Sequence, residues 1–333
     1  MRFTMIYSLG KWFSVLPLVA ALGLINTPAR AQTTLTIMVF QGLQNLPLLA
    51  AQSEGFFAKR GLAIDIKIAP NSDELRNGLA EGRYQIVHSA ADNGIALKAM
   101  NNIDAALVIG GDNGLYHLYT QAGITQYEAL RGQTVVVDAP NTAYAFQLYE
   151  MLRLKGLNAG DYKIHISGAT FKRLQDLQSD KRFVATMLNP PFSLLAEKSG
   201  LKDLGEATQV LGAYQATAGF VLRAWAEKNS ATLVAYLSAY IEGQRWAMDP
   251  KNKAAAITLY MNALKVSEDI ALGCYNAALT GMAKDAEMDM AGLKNVLALR
   301  ERHTGKPTQP AADYLELSYY HKALENLSSK IGK

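Results

Sequence analysis

The side chains best placed to do chemistry in this sequence are short, polar and mostly uncharged, and they follow apolar runs. After "TLTIMVF" come Gln41, Gln44 and Asn45, and at the end of "YQIVHSA" come Ser89, Asp92 and Asn93. "QTVVVDA" leads to Asn141 and Thr142, and "RFVATML" to Asn189, two prolines and Phe192. Amides and hydroxyls both donate and accept hydrogen bonds, so such a set suits a small polar ligand. The turn Asp138-Ala139-Pro140-Asn141-Thr142 adds a second element. Pro140 cannot continue a strand, so the chain turns there. Asn141 or Thr142 can then cap a helix, leaving N–H groups near Thr142 to Tyr144 for a carboxylate, a sulfonate or a ring acceptor. The same turn could equally cap its own helix and nothing more. Asp92 has the same two readings, as the N-cap of "NGIALKAM" or as an acceptor for a ligand donor. Tyr116, Tyr144 and Phe192 could form aromatic walls or pack as ordinary core.

Other chemistries have weaker support. The five histidines show no H-x-x-x-H or H-E-x-x-H spacing, so no metal site is expected. His88 and His165 fall within strands, and His117 in a connection between halves. No G-x-G-x-x-G, phosphate-binding loop or G-x-S-x-G occurs. The one cysteine, Cys274, excludes an internal disulfide framework and reads as a buried structural residue.

The elements that must position these residues alternate. Strands "TLTIMVF", "LAIDIKIA", "YQIVHSA" and "DAALVIG" are separated by helices of about ten residues, which implies β-α-β units and an α/β sheet. At "GGDNGLYHLYTQAG" the alternation falters. It resumes with "QTVVVDA", the helix from Thr142 to Lys155, "YKIHISGA" and "RFVATML", each followed by a helix. From about Trp225 the chain reads as almost wholly helical. Lobe one is expected over residues 32–112 and, mainly helical, 217–333, with lobe two over 113–216. Ligands of open α/β sheets lie beyond the carboxyl ends of the strands, which is where the polar loops fall.

The amino-terminal segment reads as a targeting signal. Arg2 and Lys11 precede the uncharged run Trp12 to Ile25, and Ala29-Arg30-Ala31 is an A-x-A cleavage pattern. Cleavage after Ala31 removes three basic residues and no acidic one, leaving 30 basic against 29 acidic from the initial 33 and 29. That near-neutral balance gives no support to a nucleic-acid partner. A periplasmic location is expected.

These segments resemble the periplasmic solute-binding proteins of ABC importers with the type II fold, in the group that includes alkanesulfonate, taurine and thiamine-pyrimidine-precursor binders. The likeness rests on "SEGFFAKRGLAIDI", "LRNGLAEGRYQIVHSA", "YEALRGQTVVVDAPNTAYAFQLYEMLRLKGL" and "LQDLQSDKRFVATMLNPP", and spans Thr34 to about Lys265. "LQSDKRFVAT" departs from the pattern, with Ser, Asp and Lys where the family usually has "L..G.vDA".

The resemblance implies two lobes around a ligand cleft and a helical C-terminal region. It implies a non-catalytic monomeric receptor without a cofactor, delivering a small organic solute to an inner-membrane ABC permease. A ligand sensor for a signalling receptor has the same sequence features. An enzyme of the thiamine-pyrimidine synthase type would need a cysteine-rich motif, which this chain lacks. The candidate ligand residues are Gln41, Asn45, Ser89, Asp92, Asn93, Asn141, Thr142, Tyr144 and Asn189. Because the loops hold no arginine clamp, a multiply charged phosphate is disfavoured. A neutral or singly charged molecule, such as a sulfonate, aromatic acid or pyrimidine, fits better.

Overall fold

The computed structural model describes residues 32–329, together with Met1. The expected signal peptide and its cleavage point after Ala31 fall outside these residues. The chain begins with β1 (Thr33–Val39), α1 (Leu46–Ser53), β2 (Leu62–Ile68) and α2 (Ser72–Ala80). It continues through β3 (Ile86–Ala90), α3 (Ala91–Asn101), β4 (Ala105–Ile109), β5 (His117–Thr120) and β6 (Thr134–Val137). There follow α4 (Ala143–Leu154), β7 (Lys163–Ile166), α5 (Thr170–Ser179), β8 (Phe183–Leu188), α6 (Phe192–Lys198), β9 (Lys202–Glu206) and α7 (Ala207–Leu211). After β10 (Thr217–Leu222) the chain is helical: α8 (Arg223–Lys228), α9 (Ser230–Met248), α10 (Lys253–Leu264), α11 (Glu268–Gly281), α12 (Met290–Thr304) and α13 (Ser318–Ser328).

Local chemistry accounts for many of these boundaries. Pro47 occupies the first turn of α1, where its missing N–H costs nothing. Gly61 takes a φ of 71° at the turn into β2, a left-handed conformation that a residue with a Cβ enters only at a cost. Asn71 caps α2, its side chain accepting from Glu74 N at 2.8 Å. All five residues of β3 and of β4 are buried, as expected for strands covered on both faces.

The strands form two five-stranded sheets, in the orders β2-β1-β3-β10-β4 and β7-β6-β8-β5-β9. Within each, three strands are parallel and β-α-β-linked, which the alternation predicts. Two features depart from the sequence reading. β10 enters the first sheet antiparallel between β3 and β4, and β5 enters the second antiparallel between β8 and β9. His117 is therefore the first residue of β5 rather than part of an irregular connection. The reason is topological, because a strand arriving from the other sheet starts at the carboxyl edge and must run backwards.

Helices α9 and α13 pack with the strands of the first sheet in one apolar core. α9 packs on α1 so closely that a Cβ on Gly243 would lie 2.3 Å from the Pro47 carbonyl oxygen. His88 of β3 is buried here, stacked 4.5 Å from the Tyr240 ring, with its Nε2 hydrogen-bonded to the Tyr236 hydroxyl at 3.0 Å. Burial pushes its pKa down to about 3, so the ring is a neutral packing group. Cys274 is fully buried on α11 among apolar residues.

Candidate ligand-binding site

The carboxyl ends of the parallel strands in both sheets lead into loops that meet each other. Leu43 N donates to the Pro190 carbonyl oxygen at 3.1 Å, and Asn189 Nδ2 donates to Gln44 Oε1 at 3.3 Å. A third crossing joins Ser72 at the start of α2 to Asp138 beyond β6, with Oγ donating to Oδ2 at 3.3 Å. Each links the side carrying the first sheet to the side carrying the second.

From these crossings a continuous polar row can be traced. Arg76 Nη1 donates to Asn93 Oδ1 at 2.7 Å, and Asn93 Nδ2 reaches Ser89 Oγ at 3.3 Å and Ser72 Oγ at 3.5 Å. Ser72 passes to Asp138, whose other oxygen accepts from the Thr142 hydroxyl. All six side chains in the row are buried. Burial pushes the Asp138 carboxyl above its ordinary value, against the pull of the Arg173 guanidinium.

Thr142 is the N-cap of α4, its Oγ1 accepting from Ala145 N at 3.5 Å. Asn141, one residue earlier, is exposed and makes no part of this row. Tyr144 follows in the first turn. Its phenol accepts from Tyr116 at 3.0 Å, the two rings meeting edge to face with centroids 4.8 Å apart. Burial pushes the Tyr144 hydroxyl up to about 12, so it stays protonated as a donor.

Asp92 does not cap α3, whose N-cap is Ala90. Both its oxygens instead accept from Arg300 Nη1, at 2.8 and 2.9 Å, with both side chains almost fully buried. Burial raises the Asp92 pKa while Arg300 opposes it. Gln41 is half-buried, and Asn45 donates from Nδ2 to the Phe40 carbonyl at 2.7 Å while its buried Oδ1 has no partner. The structure thus gathers Ser89, Asn93 and Thr142 into one row. Asn45 and Asn189 lie along the loops of the crossings, Asp92 and Tyr144 flank the row, and Asn141 stands apart.

Sequence reasoning missed three arginines. They come from helices rather than loops: Arg76 from α2, Arg173 from α5 and Arg300 from α12. Arg173 donates to Thr186 Oγ1, Gly168 O, Thr170 Oγ1 and Met187 O, and its guanidinium lies 5.2 Å from the centre of the Tyr144 ring. That distance suits a cation–π contact. A signal was present in the sequence. Arg173 is spaced with Thr170 and Leu177, and Arg300 with Leu293, Val296 and Leu297, on the apolar stripe of each helix. A long cation on such a stripe must find buried acceptors.

Among the described residues no group of three or more His, Cys, Asp or Glu is placed to hold a metal ion. The NMT1-like family profile matches residues 29–261, most of the chain. The chain belongs to the NMT1-like family. No curated protein matches it in sequence. Among solved structures this NMT1-like protein is similar to the ligand-binding component of an ABC-type import system from Staphylococcus aureus, with zinc bound. The TM-score is 0.75 at 15% identity over 88% of this chain and 99% of that one. The periplasmic nitrate-binding protein NrtA of Synechocystis PCC 6803 gives a TM-score of 0.75 at 12% identity, over 89% of each chain. A desulfurization enzyme, DSZB, gives 0.64 at 12% identity, over 88% of this chain and 99% of that one. The likeness is one of fold.

Proposed function

We propose that this NMT1-like protein is an extracytoplasmic receptor that captures a small organic solute and delivers it to an ABC permease. Residues 32–112 with 217–333 form one lobe, residues 113–216 the other, and the solute is held where the lobes close on each other. The observation that carries this reading is the buried polar row from Arg76 to Thr142, which crosses between the sheets at the carboxyl ends of the strands. Such a row costs free energy to desolvate, so it has a use beyond packing. The binding roles of two of the three fold neighbours support the same reading.

The solute is neutral or carries one charge, in keeping with a sulfonate, an aromatic acid or a pyrimidine. Arg76, Arg173 and Arg300 are balanced locally by Asp73, Asp138 and Asp92, and Arg173 is occupied by four protein acceptors. Little cationic capacity remains for a multiply charged ligand. Asn45, Ser89, Asn93, Thr142, Tyr144 and Asn189 supply donors and acceptors, with Gln41 at the rim and Asp92 behind. A thiol-based enzyme is disfavoured on this chain, because burial pushes Cys274 up to about 12 and keeps it protonated at neutral pH.

Native mass spectrometry of freshly purified mature protein tests the proposal. A stoichiometric small molecule lost from an Asn93→Ala variant is the expected result. A protein that carries nothing and gives no calorimetric signal with sulfonates, aromatic acids or pyrimidines would overturn it.

A further inference from the structure

The chain passes between its two sheets twice, through residues 110–116 and 207–216. The two passages are tied together at Asp112. Its N–H donates to Thr217 Oγ1 at 3.0 Å, its Oδ2 accepts from the Thr217 hydroxyl at 2.5 Å, and its carbonyl accepts from Ala216 N at 3.1 Å. A short strap between α11 and α12, Met282–Asp289, lies against both passages. Ala283 N donates to Gly111 O at 3.1 Å, Gly110 N to Ala286 O at 2.9 Å, and Asp289 N to Gln215 Oε1 at 2.7 Å. The fit is close. A Cβ on Gly110 would stand 2.3 Å from Glu287 O, and one on Gly292, just past the strap, 2.4 Å from Gln215 N.

The strap is also strained. Asp285 and Ala286 are consecutive non-glycine residues with φ of 55° and 56°, in the left-handed region where a Cβ is costly. Such a turn persists only where its surroundings hold it. Here α9 supplies the hold. Arg245 grips Asp285 with two parallel bonds, Nε to Oδ1 at 2.7 Å and Nη2 to Oδ2 at 2.9 Å, and Gln244 Nε2 donates to Ala283 O.

We propose that this strap is a stop for lobe movement: by bracing both passages from one side it sets the angle at which the lobes rest, and the Arg245–Asp285 pair sets the strap. The inference rests on the solute-capture reading, in which the lobes move about these passages. Neither residue of the pair is a candidate ligand residue. The pair therefore acts on solute affinity at a distance, through the fraction of molecules that are closed. Loosening the strap favours the open form.

Pulsed dipolar spectroscopy of the full mature chain, with no solute added, tests the strap. Spin labels at the exposed positions Ser53→Cys and Asn158→Cys, one on each lobe, report the separation, since the native thiol of Cys274 is buried. Arg245→Met should lengthen the mean separation by more than ~2 Å. Adding Asp285→Gly should bring it back, because glycine holds a left-handed φ without the arginine. Circular dichroism melts check that each variant is folded. Ser72→Ala with Gln44→Ala, which loosens the facing loops directly, is the control for lobe movement. A longer separation in that control but not in folded Arg245→Met would overturn the strap and leave the capture reading standing. No change in either would remove the lobe movement that both readings need. A lengthening that Asp285→Gly does not reverse would also overturn the proposal, because the left-handed turn would then not be what the arginine holds.

Discussion

Thr142 does two things with one hydroxyl group. Its oxygen accepts from Ala145 N as the cap of α4, and its proton goes to Asp138. Asn141 does neither and is exposed. Thr142→Ala should therefore lower stability by about 1–2 kcal/mol in urea titration, as for other lost caps, and weaken solute binding through the disturbed Asp138. Asn141→Ala should stay within ~0.5 kcal/mol of the wild type. Equal losses from the two changes would contradict this division. Asp92 and Arg300 form a tighter unit, each leaving a buried charge if the other is removed. Asp92→Ala should cost about 3–5 kcal/mol, and the double change Asp92→Leu with Arg300→Met distinctly less. Single and double variants of equal stability would mean that the pair is relaxed by water. The loop residues were legible because strand ends and turn residues leave a local mark. The arginine partners were not, since Asp92 and Arg300 meet across 208 positions.

Among the elements, α12 touches helices that follow strands of both sheets, α3 and α4. It packs against α3 through Asp92 and against α4 through Glu150, which faces Arg302 and His303 while bound by Arg153. Hydrogen bonds from Arg153, with Arg302 and His303 adding charge, hold the Glu150 carboxyl below its usual 4.5. A carboxyl lowered in the folded state adds stability that is complete above its unfolded value and is lost as pH falls through the folded one. Glu150→Gln should lower the melting temperature at pH 7 and flatten its decline below pH 4.5. Parallel melting curves for the two proteins across that range would sink the idea. The alternating strands of both sheets were readable from period and apolar content. β9 and β10 were not. β10 carries Ala218 and Gly219 at its centre, and its place between β3 and β4 is decided by tertiary pairing rather than local propensity.

For the whole molecule, the two sides are joined by few polar contacts: Ser72 to Asp138, Asn189 to Gln44 and Leu43 to Pro190 at the loops, and Arg302 and His303 to Glu150 at α12. Net contributions of about 1 kcal/mol each suit a molecule that opens and shuts. Small-angle scattering should show a smaller radius of gyration with saturating solute than without. Ser72→Ala combined with Gln44→Ala should shift the solute-free protein towards the larger value. An identical radius in all three samples would argue for a rigid body.

The insertion of β10 between β3 and β4 bears on the order in which the chain can fold as it emerges amino end first. The second sheet draws all its strands from the contiguous stretch His117–Glu206, whereas the first has a gap between β3 and β4 until Thr217–Leu222 arrives. The segment made first is therefore finished last. Until then β3 and β4 each present an unpaired edge, that of β4 wholly apolar, the kind of surface that invites association with other chains. A chain exported unfolded and assembled beyond the membrane would be most exposed to aggregation in that interval.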